Sequence, residues 1–247
     1  MVRMNNQSLD DSYELAMRER RRAIDQSLNS SVDSEIMAQN DYTPAIDEGV
    51  LRKGSDKNKS FIERINKIEN QKKLRETLIE CKNYIEDNKI EKLVELLSAI
   101  FEFNVNDLVD DEGYSLVHMA VSKNRQKMFD AIMKHARSRL TQEAITSWIN
   151  QTTYEERFTA LHYASFRGNV HICRVLIDNG ADMNAKNKSG LNVLHIAAQG
   201  DQPISLYYFK TLHMNLNMRD NRNSTPLHWA CFSNSEVALI YLLGWLR

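Results

Sequence analysis

Thr225-Pro226-Leu227-His228-Trp229-Ala230 has three relatives within the same chain: Ser115-Leu116-Val117-His118-Met119-Ala120, Thr159-Ala160-Leu161-His162-Tyr163-Ala164 and Asn192-Val193-Leu194-His195-Ile196-Ala197. The last three begin 33 residues apart, from 159 to 192 and from 192 to 225. The step from 115 to 159 is 44 residues, so about 11 extra residues lie around 137–153, where TQEAITSWIN lengthens a helix or adds one. A period of this length means a stack of equivalent units, each too small to bury its own apolar face. In each copy the leading Ser, Thr or Asn suits a helix N-cap, and Pro226 takes the first helical position, where a missing N–H costs nothing. The Leu of each motif points into the stack. Ala120, Ala164, Ala197 and Ala230 are small enough for neighbouring helices to approach closely. A second, more apolar helix follows each copy, such as Val170, Ile172, Val175 and Leu176, or Val237, Leu239, Ile240 and Leu242.

The motif and its period resemble those of the ankyrin-repeat family, whose unit is a β-turn followed by two antiparallel helices. That resemblance implies an all-α solenoid of helix–turn–helix units joined by short β-hairpin loops, and a surface that binds other proteins. Gly113, Gly190 and Asn223 fall where the hairpin needs positive φ. Arg157 stands there in the second copy, which predicts a distorted hairpin. The organisation expected is a disordered tail over 1–59, a long helix over 60–75, and a repeat domain over 76–247. Within that domain a degenerate cap spans 76–109, and repeats follow over 110–153 (with the insertion), 154–186, 187–219 and 220–247.

The tail is poor in large apolar side chains and shows no sustained period, so it buries too little to offset chain entropy. One exception is 13–24, YELAMRERRRAI, a short helix pattern that carries Arg20, Arg21 and Arg22. Ser60 followed by Glu63 makes a capping-box pattern, and Phe61, Ile65 and Ile68 continue at helical spacing, so a helix is expected from Ser60. At the other end Leu242, Leu243, Trp245 and Leu246 leave an apolar face, which predicts cover by further chain or a partner subunit.

Composition narrows the function. Lys and Arg number 32 against 33 Asp and Glu, so no basic field gathers nucleic acid, and none is expected as partner. The longest apolar run, 237–246, is half of the roughly 20 residues a membrane crossing needs. Three scattered cysteines and no apolar signal core place the chain in the cytoplasm as an expectation. The repeated His118, His162, His195 and His228 sit one repeat apart, too far to share an ion, and Cys81, Cys173 and Cys231 read as buried small apolar residues. Nucleotide-binding and nucleophile motifs are missing. The sequence therefore predicts no catalytic residue, no metal and no cofactor.

What remains is surface. The residues after each repeated His are Met119, Tyr163, Ile196 and Trp229; three or four positions on come Phe166, Arg167, Gln199 and Phe232. These eight read either as packing between repeats or as a concave groove for an extended peptide, with aromatic anchors and Arg167 and Gln199 for polar register. Hairpin tips acidic at Asp111, Glu112, Glu155 and Glu156 and basic at Lys188 and Arg222 form a second surface.

The final copy, NSTPLHWACFSNSEVALIYLLGW over 223–245, also resembles the N-terminal ankyrin domains of DHHC-type palmitoyltransferases, where such repeats recruit substrates to a membrane-embedded enzyme. The cysteine-rich catalytic segment of that family is not in this sequence. The functional expectation is a non-catalytic binding module or adaptor, with the recruiting region of such a transferase, on the cytosolic face of a membrane, as the alternative. An architectural subunit of a large assembly is the third.

Overall fold

The computed structural model describes residues 54–99 and 105–245. The chain divides into two units, Met1–Phe61 and Ile62–Arg247. The expected tail and its 13–24 helix lie almost wholly outside the described residues, but 54–59, also expected as tail, are helical. The first helix, α1, spans Gly54–Glu86, so it starts before Ser60 and runs without a break past the 75/76 boundary. Its side chains from Glu69 through Lys73 are exposed, and burial begins further on, at Thr77, Leu78, Cys81 and Ile85.

Eleven α-helices and one short 3-10 turn, Val105–Asp107, make up the regular structure among the described residues, and no strand forms there. After α1 come α2 (Ile90–Ala99), α3 (Leu116–Ser122), α4 (Gln126–Arg139), α5 (Gln142–Ile149), α6 (Ala160–Arg167), α7 (Val170–Asp178), α8 (Val193–Gln199), α9 (Pro203–Thr211), α10 (Pro226–Phe232) and α11 (Glu236–Trp245). The first helices α3, α6, α8 and α10 pack side by side in one row, and the second helices α4, α7, α9 and α11 in another. Helix α2 packs on α4 and extends the second row, with Leu93 and Leu97 buried against the core.

The motif leucines build the core as expected in the first three copies, whereas Leu227 of the fourth is half-buried. Leu116, Leu161 and Leu194 are 0–1% exposed, and each contributes roughly 2 kcal/mol by leaving water. Ala120, Ala164, Ala197 and Ala230 are fully buried where first helices meet.

The insertion does both things its sequence allowed. Helix α4 runs to 14 residues against 9 in α7, and α5 is an added helix capped by Thr141, whose Oγ1 accepts from Ala144 N–H. Helix α5 lies over the C-terminal end of α7, where helical carbonyls lack partners. Thr146 Oγ1 and Gln142 Nε2 donate to the Asn179 carbonyl at 3.0 and 3.2 Å, and Asn150 Nδ2 donates to that of Gly180 at 2.8 Å. Asn150 Oδ1 accepts from Asp182 N–H, so one side chain serves two backbone groups.

Candidate functional site

Each repeated His closes its helix start. In α3, α6, α8 and α10 it occupies the third helical position, where Glu or Gln usually completes a capping box, and its Nδ1 accepts from the cap residue's N–H. The distances are 3.3 Å from Ser115, 3.1 Å from Thr159, 3.2 Å from Asn192 and 3.2 Å from Thr225. An accepting Nδ1 carries no proton, so the neutral ring holds its hydrogen on Nε2. That nitrogen donates into the next hairpin: His162 to the Leu191 carbonyl and His195 to that of Ser224, each 3.2 Å and 29 residues along. Burial pushes His118 and His162 down to about 4 and lowers His195 as well, since none can be charged without losing its acceptor role. These histidines are joints between repeats.

The hairpins are held by side chains that imitate backbone. Asp110, Asn187 and Asp220 each accept, through Oδ1, from the N–H groups two and four residues on. In the second copy the turn is wider. Thr153 N–H reaches the Phe158 carbonyl, five residues away, where Asp110, Asn187 and Asp220 span four. Arg157 takes φ of +58° in that turn, and Tyr154 stands 68% exposed at its tip. The sequence held a signal for this: six positions separate Thr153 from Thr159, and five separate the corresponding pairs elsewhere. His118, which faces the widened turn, makes no full hydrogen bond through Nε2.

Successive tips are tied in a row. Tyr154 N–H donates to the Glu112 carbonyl, Lys188 N–H to that of Glu156 and Asn221 N–H to that of Ser189, at 2.9, 2.9 and 3.2 Å. The row and the first helices beside it form the inner face.

The eight residues singled out by sequence divide by depth. Met119 and Ile196 are 6% and 3% exposed, so they pack beneath the face. Tyr163 is half-buried in a cluster that sequence reading missed: its hydroxyl lies 2.8 Å from that of Tyr114, and its ring meets Phe158 at 5.6 Å and His118 at 6.1 Å. Trp229, also half-buried, donates from Nε1 to Asp220 Oδ2 at 2.9 Å, which fixes the indole against its own hairpin, and Phe232 meets it edge-on at 5.6 Å. Gln199 is half-buried, and Arg167 is exposed and anchored by Nε to the Ser122 carbonyl, with its guanidinium over the Phe166 ring. Phe166 and Phe232 stand in solvent, at 39% and 82% exposed.

A family model for ankyrin repeats, three copies long, matches residues 83–187 and 161–245. The chain belongs to the ankyrin-repeat family. Among curated relatives it is 28% identical to the palmitoyltransferase akr1 of Schizosaccharomyces pombe over 34% of this chain and 18% of that protein. It is 27% identical to rabankyrin-5 of Mus musculus over 61% and 12%, and 28% identical to alpha-latrotoxin-Lt1a of Latrodectus tredecimguttatus over 53% and 9%. The chain spans less than a fifth of the length of these proteins.

This ankyrin stack carries no helix long and apolar enough to cross a membrane among its described residues, and no group of His, Cys, Asp or Glu there could hold a metal ion. In the fourth repeat, the last one described, the side facing away from the third repeat is less buried. His228 and Cys231 are exposed and Leu227 is half-buried, whereas the equivalent His195, Ala198 and Leu194 are fully buried by the next repeat. A cavity of about 180 Å³ opens there between loop 214–217, Leu227 and Leu242.

Proposed function

We propose that this chain is a non-catalytic adaptor, working in the cytoplasm, that holds an extended segment of a partner protein along its inner face. Phe232, Phe166 and Trp229 are the apolar anchors, and Arg167 and Gln199 set polar register. The observation that supports it is Phe232, 82% exposed on a first helix, beside an indole locked in place by Asp220. An aromatic surface already rigid loses little entropy when a ligand arrives. Met119 and Ile196 support the strip from below. The test is selection of peptides from a displayed library on the folded chain, followed by binding to a Phe166→Ala, Phe232→Ala variant. Both positions are exposed, so the fold is retained, and affinity should fall at least tenfold; equal affinity for the variant sinks the assignment.

A second reading, the substrate-recruiting region of a DHHC-type palmitoyltransferase, is favoured by the similarity to akr1 and by the 223–245 motif. On it the same inner face receives the protein to be acylated. Joining the chain to a transferase that lacks its own repeats tests this: acylation of the transferase's substrates should return, and failure to return counts against the reading.

A further inference from the structure

The hairpin tips sort their charges by repeat. The first two carry Asp111, Glu112, Glu155 and Glu156 against the single cation Arg157. The last two carry Lys186, Lys188, Arg219 and Arg222. All four of these cations are exposed, as are Asp111 and Glu155, while Glu112 and Glu156 are half-buried. Asp110 and Asp220 do not alter this balance outward, because each carboxylate is engaged with the N–H groups of its own turn, and Asp220 with the Trp229 indole as well. The turn itself leaves the sign free. Asp111 follows the turn-holding Asp110 as Lys188 follows Asn187, and Glu112 stands two residues beyond Asp110 as Arg222 does beyond Asp220.

Successive tips are hydrogen-bonded in one row, so the sorting sets like charge beside like charge at both ends of it. Alternating signs would give neighbouring tips a weak attraction, and sorted signs give a weak repulsion, so the arrangement does not serve the stability of the stack. It does produce a field that runs from negative to positive along the inner face, which an elongated ligand of opposite sorting complements. The aromatic anchors divide in the same way: Phe166 belongs to the second repeat, in the acidic half, and Trp229 and Phe232 to the fourth, in the basic half. The Trp229–Asp220 bond makes the indole and the fourth tip one unit, so the apolar and cationic contacts at that end hold a fixed relation.

We propose that the segment bound on the inner face is charge-polarised, with Lys or Arg at the end lying on the first two tips and Asp or Glu at the end lying on the last two. This rests on the inner-face reading above and specifies its ligand. Neighbouring first helices pack roughly 9 Å apart, so the centres of the two halves, two repeats apart, are separated by roughly 18 Å. An extended chain rises about 3.3 Å per residue, so about five or six residues lie between the basic and acidic groups of the ligand. Its apolar side chains fall within that stretch, over Phe166 near its basic end and over Trp229 and Phe232 near its acidic end. A segment with the same charge at both ends meets repulsion at one of them and is rejected.

Peptides selected from a displayed random library on the full chain test this. The selected sequences should carry basic and acidic residues about five or six positions apart, and raising salt from about 50 mM to about 500 mM should weaken them severalfold, since the charges are exposed. The variant Lys188→Glu, Arg222→Glu, with its thermal melt unchanged, should bind them roughly fivefold or more weakly. Replacing the acidic residues of the peptide by lysine should then restore binding to that variant and lower it to the wild-type chain. Selected peptides without the charge asymmetry overturn the proposal. So does equal binding to the charge-reversed variant when Phe166→Ala, Phe232→Ala loses the peptide, a result that leaves the aromatic face standing. Loss on charge reversal with full binding to Phe166→Ala, Phe232→Ala upholds the polarity and overturns the aromatic assignment instead, and a chain that selects no peptide overturns both.

Discussion

Acidification should loosen the stack through two residues. Buried His118 and His162 stay neutral in the folded chain down to about 4, while in the unfolded chain they bind protons from 6.5 downward. Folded affinity for the proton is therefore the lower one, so stability is full above pH 6.5 and is lost as pH falls from there to about 4. At pH 5 the unfolded form gains about 2 kcal/mol per histidine, or about 4 kcal/mol for the pair, a large part of the 5–15 kcal/mol typical of a domain. His195 shifts in the same direction and adds to the loss. Urea unfolding followed by circular dichroism at pH 7.5 and pH 5.0 measures it. His162→Gln should be less stable at pH 7.5, since it loses the link to Leu191, yet should shed close to half of the pH dependence. Equal midpoints at the two pH values would refute the reasoning, as would a drop that persists in full in the His118→Gln, His162→Gln variant.

Asn150→Ala removes a donor to the Gly180 carbonyl and the acceptor for Asp182 N–H, and should cost about 1–2 kcal/mol in chemical denaturation; an unchanged midpoint would mean that α5 holds the end of α7 without it. In native protein a thiol reagent should modify Cys231 alone, because Cys231 is exposed while burial pushes the Cys81 and Cys173 thiols up to about 12, and more than one fast equivalent contradicts this.

The candidate site was legible in part. The position after each repeated His follows from the period, so the sequence found Tyr163 and Trp229, but equal register does not mean equal depth. Met119 and Ile196 are covered where Trp229 is half open, because the fourth repeat has no described neighbour beyond it to cover its helices. The Tyr114–Tyr163 hydroxyl contact and the Trp229–Asp220 bond join a hairpin to a helix, and nothing in a linear pattern distinguishes the aromatic that is tied from the one that is free to turn.

By itself the sequence determined the class of fold, the buried motif alanines, the buried leucines Leu116, Leu161 and Leu194, and the place of the insertion. All of these rest on local chemistry repeated at fixed spacing: caps, turn residues and apolar period. The tertiary structure decided that α1 begins at Gly54 and continues to Glu86, that the insertion becomes a strap over the end of α7, and that the hairpin after Thr153 widens. It also decided that Ile204 and Tyr207 of α9 and Val237 and Ile240 of α11 stand exposed. Those outcomes depend on which groups are left without partners once helices pack, and that is settled by contacts between residues far apart in the chain.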